Sequence, residues 1–486
     1  MKSEYIPTIG LEIHAELNTQ TKMFCASKND PDETKPNVNI CPICLAHPGT
    51  LPVINREAVR HVLRVGVALG GTLADYTEFD RKNYFYPDLP KGYQISQYEF
   101  PLVSGGELNG VSITRVHLEE DTASSIHDEE GRATIIDFNR AGVPLMELVT
   151  EPVITSAAEA GAFARELQLL LRYLDASEAN MEKGEMRVEA NVSVSRSDLG
   201  NRGLKVGSLG TKVEIKNLNS FRAMERAITY EIERQKKVLE RGESVQQETR
   251  GWDEAKQATF SQRSKEGSAD YRYFPDPDLP SLRISEIPDF SKGALSEQMP
   301  ELPWNRRNRY VDLGIKQEDA ETLAAEPRIA SFFDKVLATI ASPVTPQSAA
   351  NYVTNDLVKK LRDTDIRDSE DRAEIGISVQ NFSKILSMVA DKKISSRVAK
   401  DLITLLFETD KDPEQMAKEQ GLFRMGNEAE LGDIIESILA SHASVVEDYK
   451  NGKGSALEYL VGQGMRQTRG AADPEVLREM IRSKIG

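Results

Sequence analysis

Cysteine is almost missing from this sequence. Its 486 residues hold three, Cys25, Cys41 and Cys44. That excludes a paired disulfide framework and favours a reducing compartment. Long apolar runs are missing too. A membrane helix needs roughly 18 consecutive apolar residues, and the best stretch, residues 59–73, is broken by Arg60, His61 and Arg64. The N-terminus carries neither an apolar signal region nor an Arg- and Ser-rich transit character. No membrane partner is expected, and a cytoplasmic location is. Positive charge is in deficit, with a formal net charge of −16. Binding to nucleic acid is driven by Lys and Arg displacing counterions from phosphates, so any RNA contact must use a local basic patch or a partner. Two catalytic signatures are absent as well. There is no G-x-x-x-x-G-K-[ST] phosphate loop; Asn451-Gly452-Lys453-Gly454-Ser455 supplies the lysine without the loop. Nor does a serine or cysteine sit in a nucleophile-elbow context, so the chain shows no machinery for releasing ammonia from an amide.

What is present divides along the chain. The length predicts about three domains. Residues 284–304, with Pro288, Gly293, Pro300 and Pro303, read as a boundary, after which the pattern turns helical. A further division falls near Lys411, giving residues 1–295, 296–411 and 412–486. In the first part, Ile9, Leu11, Ile13, Ala15 and Leu17 alternate with Glu12, His14 and Glu16, the signature of a half-buried strand. Residues 186–194 alternate the same way, grouping Arg187, Glu189, Asn191 and Ser193, and residues 211–218 group Lys212, Glu214 and Lys216. Ser156 and Glu159 make a capping-box pattern ahead of a helix burying Phe163, Leu167, Leu170, Leu171 and Leu174. A second helix follows Ser220, with Phe221, Met224, Ile228 and Ile232 on one stripe. Many strands with few helices between them indicate an antiparallel α+β domain. Asp412-Pro413 and Asp473-Pro474 each read as an N-cap followed by proline in the first helical turn.

Glutamate is depleted from strands, yet Glu12, Glu119, Glu147, Glu189 and Glu214 all lie in strand-like segments. Each could cap a wet strand face in a surface ion pair. Five in one domain, with His14 beside Glu12, point instead to a shared cation, and Mg²⁺ suits an oxygen-rich site beside nucleotide phosphate. The aromatic stretches 79–88 and 270–278 hold no period. Their rings could stack on bases, with the interleaved basic residues binding phosphates, or could equally pack over the core. The cysteines give C-x15-C-x2-C, with His47 the only ordinary fourth zinc ligand at hand.

These segments together resemble a known family: the B subunit of the heterotrimeric tRNA-dependent amidotransferase. The matching stretches include IGLEIHAEL from Ile9, FDRKNYFYPDLPKGYQISQ from Phe79, HLEED from His117, DFNRAGVPLMELVTEP from Asp137, KVEIKNLNSF from Lys212 and DYRYFPDPDLP from Asp270. VEDYKNGKG from Val446 and LVGQGM from Leu460 match in the tail. The resemblance implies a glutamine-synthetase-like catalytic cradle, then an all-helical domain and a small YqeY-type helical tail. It implies phosphorylation, by ATP with Mg²⁺, of the side-chain carboxylate of mischarged Glu-tRNA(Gln) or Asp-tRNA(Asn). A separate amidase (glutaminase) subunit would supply ammonia, and a small third subunit would complete the heterotrimer. Carried over by position, the metal site falls on Glu12, His14, Glu119, Glu147, Glu189 and Glu214. Glu120 joins Glu12 and His14 in the catalytic set, and Lys82, Arg187 and Lys216 suit phosphate charge. Zinc-binding relatives carry two cysteines in the first knuckle; Ser27 stands at the second position here, so weak or absent zinc binding is expected. The segment from Tyr449 onward holds seven basic and four acidic side chains. Lys450, Lys453, Arg466 and Arg469 are its candidate tRNA contacts. The competing expectation is a non-catalytic tRNA-binding scaffold, which has no need of five strand glutamates.

Overall fold

A computed structural model of the chain describes residues 4–127, 132–197, 209–264, 271–363, 375–409, 411–424, 428–468 and 470–486. Asp270 and Arg469, singled out above, lie outside the described residues. The chain divides into two compact units, Met1–Leu302 and Pro303–Gly486.

The first unit is built on a ten-stranded sheet. Its principal strands are β1 (Glu4–Glu16), β4 (Val111–Glu120), β5 (Pro144–Thr150), β6 (Met186–Ser197), β7 (Val213–Leu218), β8 (Glu248–Asp253) and β9 (Ala258–Ser264). They run in the order β9-β8-β7-β6-β1-β5-β4, extended by short edge strands at residues 103–104 and 72–73. A separate three-stranded sheet joins β2 (Asp80–Asn83) to β3 (Tyr93–Ser96) and to β10 (Phe274–Pro275). The period-two alternation explains the central strand. Ile9, Leu11, Ile13 and Ala15 of β1 are fully buried on one face, and α1 (Arg56–Ala68), α2 (Ala157–Tyr173) and α3 (Phe221–Glu240) supply helical cover for the sheet.

The expected antiparallel pattern holds with one exception among the described strands: β7 and β8 pair in parallel. Parallel neighbours need a crossover connection, and α3 is that crossover. Buried Glu231 ties this helix to the sheet, since its carboxylate accepts from the Thr259 hydroxyl of β9 at 3.1 Å and lies 3.6 Å from the Arg250 guanidinium of β8. The cap of α2 differs slightly from a reciprocal box. The Ser156 hydroxyl accepts the Glu159 N–H, but the Glu159 carboxylate takes the N–H of Thr155, one residue early.

The second unit is helical. One apolar cluster gathers Tyr310, Phe333, Phe382 and Leu402, and extends to Met416 and Leu422. A second gathers Ile435, Ile438, Leu460, Leu477 and Ile481. Asp412 and Asp473 cap the helices Pro413–Glu419 and Pro474–Ile485, each through its side chain, with proline in the first turn. Among the described residues no helix is long and apolar enough to cross a membrane.

Candidate active site

Pairing register draws a single line of polar side chains across the sheet. His117 of β4 lies opposite Glu147 of β5, Glu147 opposite His14 of β1, and His14 opposite Arg187 of β6. Directly opposed residues share a face and stand close together. The neighbouring line runs from Arg115 through Val149 and Glu12 to Glu189, and a third places Glu119 and Glu16 either side of Leu145. The face that β1 turns away from its apolar side chains is therefore where glutamates and histidines meet.

The densest part holds two carboxylates and two imidazoles. His14 Nε2 stands 3.3 Å from Glu147 Oε2 and 3.6 Å from Glu119 Oε1. His117 Nε2 stands 3.4 Å and 3.8 Å from the same two groups. Glu119 is 1% exposed and Glu147 5%. Two carboxylates so buried would repel and neutralise unless cations hold them ionised. Burial works to raise the Glu119 carboxyl, but the Lys82 ammonium and His117 outweigh it and bring it down to about 2. Burial is overcome likewise at Glu147, which His117 and His14 hold well below the usual carboxylate range. The response falls on the cations. Burial opposes the charge of His117, yet Glu147 and Glu119 push it up to about 9; Lys82 is raised against burial by Glu119. The Ser96 hydroxyl also donates to Glu119, at 2.8 Å. Glu12 goes the other way, raised by burial and by the charges of Glu147 and Glu189.

This donor set suits a hard divalent cation. Glu12, His14 and Glu147 offer ligand atoms within 4.8 Å of one another, and so do His117, Glu119 and Glu147. Glu147 belongs to both groups. Carboxylate oxygens dominate, as Mg²⁺ requires.

Other residues expected at the site sit nearby in different company. Lys216 Nζ is 3.0 Å from Glu189 and 3.9 Å from Glu214, whose other oxygen accepts from the Thr249 hydroxyl. Glu189 and Glu214 thus face a lysine, outside the two histidine groups. Arg187 reaches Asp121 at 2.5 Å, which Arg140 also approaches at 3.7 Å. Glu120 accepts from the Ile95 N–H at 2.9 Å and pairs with Lys91 at 2.7 Å. His117 and Lys91 were missed by sequence reasoning. The signal for His117 was available, because it stands two residues before Glu119 on the same strand and so shares its face. Lys91, in a loop, gave none.

Glu120 and Lys91 also line a 280 Å³ cavity that exposes Cys25, Cys44 and His47. The three thiols do converge, their sulfurs within 4.8 Å of one another. The fourth place goes to other chemistry. Ser27 Oγ lies 3.9 Å from Cys44 Sγ, and the fully buried Lys22 ammonium lies at 3.9 Å as well, donating to the Phe138 carbonyl at 3.0 Å. The Cys25 thiol and Lys22 hold the Cys44 thiol down at about 4. His47 is not among the clustered donors. A hydroxyl and an ammonium complete a tetrahedral zinc site poorly.

In the second unit, Lys450 closes the helix Ala443–Lys450, and Arg466 lies exposed in the last turn of Gly454–Gln467. Lys453, between them, pairs with Asp448 at 2.9 Å.

Residues 7–287 match the family model described as the GatB/GatE catalytic domain, and residues 331–485 match the GatB domain. Similar curated proteins are named as the B subunit of aspartyl/glutamyl-tRNA(Asn/Gln) amidotransferase. The one from Thermus thermophilus is 44% identical, with 99% of each chain covered. Those from Gloeothece citriformis and Thermotoga maritima are each 40% identical, covering 100% and 99% of this chain and 98% and 99% of their own. A match over most of the sheet-bearing unit, together with relatives at this identity along the full length, places the chain in the family of GatB amidotransferase subunits.

Proposed function

We propose that this protein activates the side-chain carboxylate of mischarged Glu-tRNA(Gln), Asp-tRNA(Asn) or both with ATP, and exchanges the resulting phosphate for ammonia. In the first step the substrate carboxylate attacks the γ-phosphorus and ADP leaves. In the second, ammonia displaces inorganic phosphate from the acyl phosphate, leaving the amide. The observation that carries this reading is the buried pair Glu119 and Glu147 held ionised between two histidines and Lys82. Carboxylates kept charged out of water, for which a scaffold has no use, are a standing site for phosphate-bound cations. When bound, Mg²⁺ would supply neutralisation of the phosphate charge, with Glu12, His14, Glu119 and Glu147 as its holders and Glu189 and Glu214 behind them.

The chain's own groups do the rest. Lys82, already among the carboxylates, offers a fixed positive charge to the transferring phosphoryl group. Arg187 and Lys216 extend that positive charge along the same face, and Glu120 with Lys91 marks the side of the cavity. We read the sheet as a glutamine-synthetase-like cradle within residues 1–295, followed by a helical domain over 296–411 and a YqeY-type tail over 412–486. In the tail, Lys450, Lys453, Arg466 and Arg469 would meet the tRNA body. Ammonia comes from a glutaminase subunit, with a small third subunit completing a cytoplasmic heterotrimer. The test is reconstitution with those two partners. Amide should form on mischarged tRNA only when ATP, Mg²⁺ and glutamine are all present; amide formation without ATP would overturn the reading.

A further inference from the structure

Five tyrosine rings form an unbroken strip beside the buried carboxylates. Tyr86 meets Tyr84 at 5.8 Å between ring centroids, Tyr84 meets Tyr271 at 5.8 Å, Tyr271 meets Tyr273 at 6.0 Å, and Tyr273 stacks on Tyr98 at 4.4 Å and 12°. Rings that merely covered the core would be buried. Here Tyr98 is 63% exposed and Tyr86 59%, and Phe85 between the first two is 89% exposed. The strip is nonetheless fixed in place. Strands β2 and β10 pair through Arg81 and Phe274. The Asn83 N–H donates to the Tyr271 carbonyl at 3.0 Å, and its side-chain amide donates to the Arg272 carbonyl at 2.8 Å. Lys82 joins the strip to the catalytic face: its ammonium lies 5.3 Å from the Tyr271 ring centroid and is drawn upon by Glu119 and Glu147.

We propose that this strip receives the unpaired 3′ end of the aminoacylated tRNA, stacking its bases so that the attached amino acid is delivered to Glu119 and Glu147. The inference rests on the function proposed above and names the part of the substrate that this edge of the site holds. Two observations favour an RNA strand over the adenine of ATP. A run of five rings, three of its junctions edge to face, is longer than a single base can occupy, whereas consecutive unpaired nucleotides can stack on its exposed end rings and pack along the edges between them. The most exposed rings stand at the two ends of the run, where a strand would enter and leave. The chain is acidic overall, at −16, so capture by stacking replaces much of the phosphate attraction that a basic surface would provide.

The experiment uses the full heterotrimer carrying Tyr98→Ala, Tyr86→Ala, or both. KM is measured separately for mischarged tRNA and for ATP, and Kd for two unacylated probes: intact tRNA and the same tRNA trimmed of its unpaired 3′ end. Each alanine should raise the tRNA KM about five-fold or more, leave the ATP KM within about two-fold, and be restored by Tyr98→Phe or Tyr86→Phe. Trimming should weaken binding to the wild type but cost the double variant little further. A rise in the ATP KM with an unchanged tRNA KM would assign the strip to the nucleotide's adenine and overturn the proposal. Equal effects of trimming on wild type and double variant would overturn it too. Absence of amide formation in the wild type would instead remove the proposed function, whereas the trimmed-probe comparison reads the strip by binding alone.

Discussion

Two groups of glutamates share one face of one sheet and are neutralised in different ways. Glu147 is offset by the imidazoles of His117 and His14, and Glu119 by the Lys82 ammonium together with His117. Glu189 and Glu214, further across the sheet on β6 and β7, are offset by the ammonium of Lys216. A protonated imidazole can release its proton to solvent when a metal cation arrives and then act as its ligand; an ammonium cannot become a ligand without a far larger change in proton affinity. The first group can therefore exchange the counter-charge that its imidazoles carry, whereas the second, offset by an ammonium alone, keeps its own. Identical side chains on neighbouring strands acquire different chemistry from the cation beside them.

The strongest test of that contrast is Glu147→Gln. It removes the carboxylate common to both donor groups, so transamidation should fall at least about 100-fold while the partner's glutaminase activity persists; retained amide formation would show that the histidine group does no chemistry. Lys216→Met comes next. It should reduce kcat roughly ten-fold by leaving Glu189 and Glu214 to repel incoming phosphate, and lower the Mg²⁺ concentration needed for half-maximal rate, because two freed carboxylates now attract the cation. An increased Mg²⁺ requirement would mean that the lysine itself helps to hold the metal. Reversing charge at Lys450, Lys453 and Arg466 should weaken tRNA binding several-fold and flatten its salt dependence by about one unit of slope per lost phosphate contact, without altering the ATP KM. Lys453, already paired with Asp448, should contribute least. The smallest effect belongs to the cysteines. Chelator-washed protein should contain far less than stoichiometric zinc, and Cys41→Ser should leave that content and the amidation rate unchanged; stoichiometric zinc lost on this substitution would restore the metal to the knuckle.

Much of this was legible in the sequence because it is local. Period-two alternation placed Glu12 and His14 on the face opposite Ile9, Leu11 and Ile13, and the same rule grouped Arg187 with Glu189. Aspartate followed by proline gave two helix starts in the second unit to the residue. What the sequence did not disclose was which strand lies beside which. Register sets His14 opposite Glu147 on one side and Arg187 on the other, and no local pattern encodes that choice. Without it, five strand glutamates looked like one set, and the Arg187–Asp121 pair, with partners 66 residues apart, was invisible. Adjacent Glu119 and Glu120 have different partners, one contacting the histidines and the other Lys91 and the Ile95 backbone. Lys22 was unremarkable as a letter; burial beside three thiols gives it meaning.

The line from His117 through Glu147 and His14 to Arg187 takes one residue from each of four strands. Such a site has no smaller working version. A slip of one residue in any of those pairings turns every side chain of that strand to the other face, moving its share of the line into the apolar layer. Partly assembled sheets should thereby be inactive. Activity during refolding should consequently rise with the last strand pairing, after most helical signal has already returned. The sheet works as its own checkpoint, coupling completion of the fold to the first turnover.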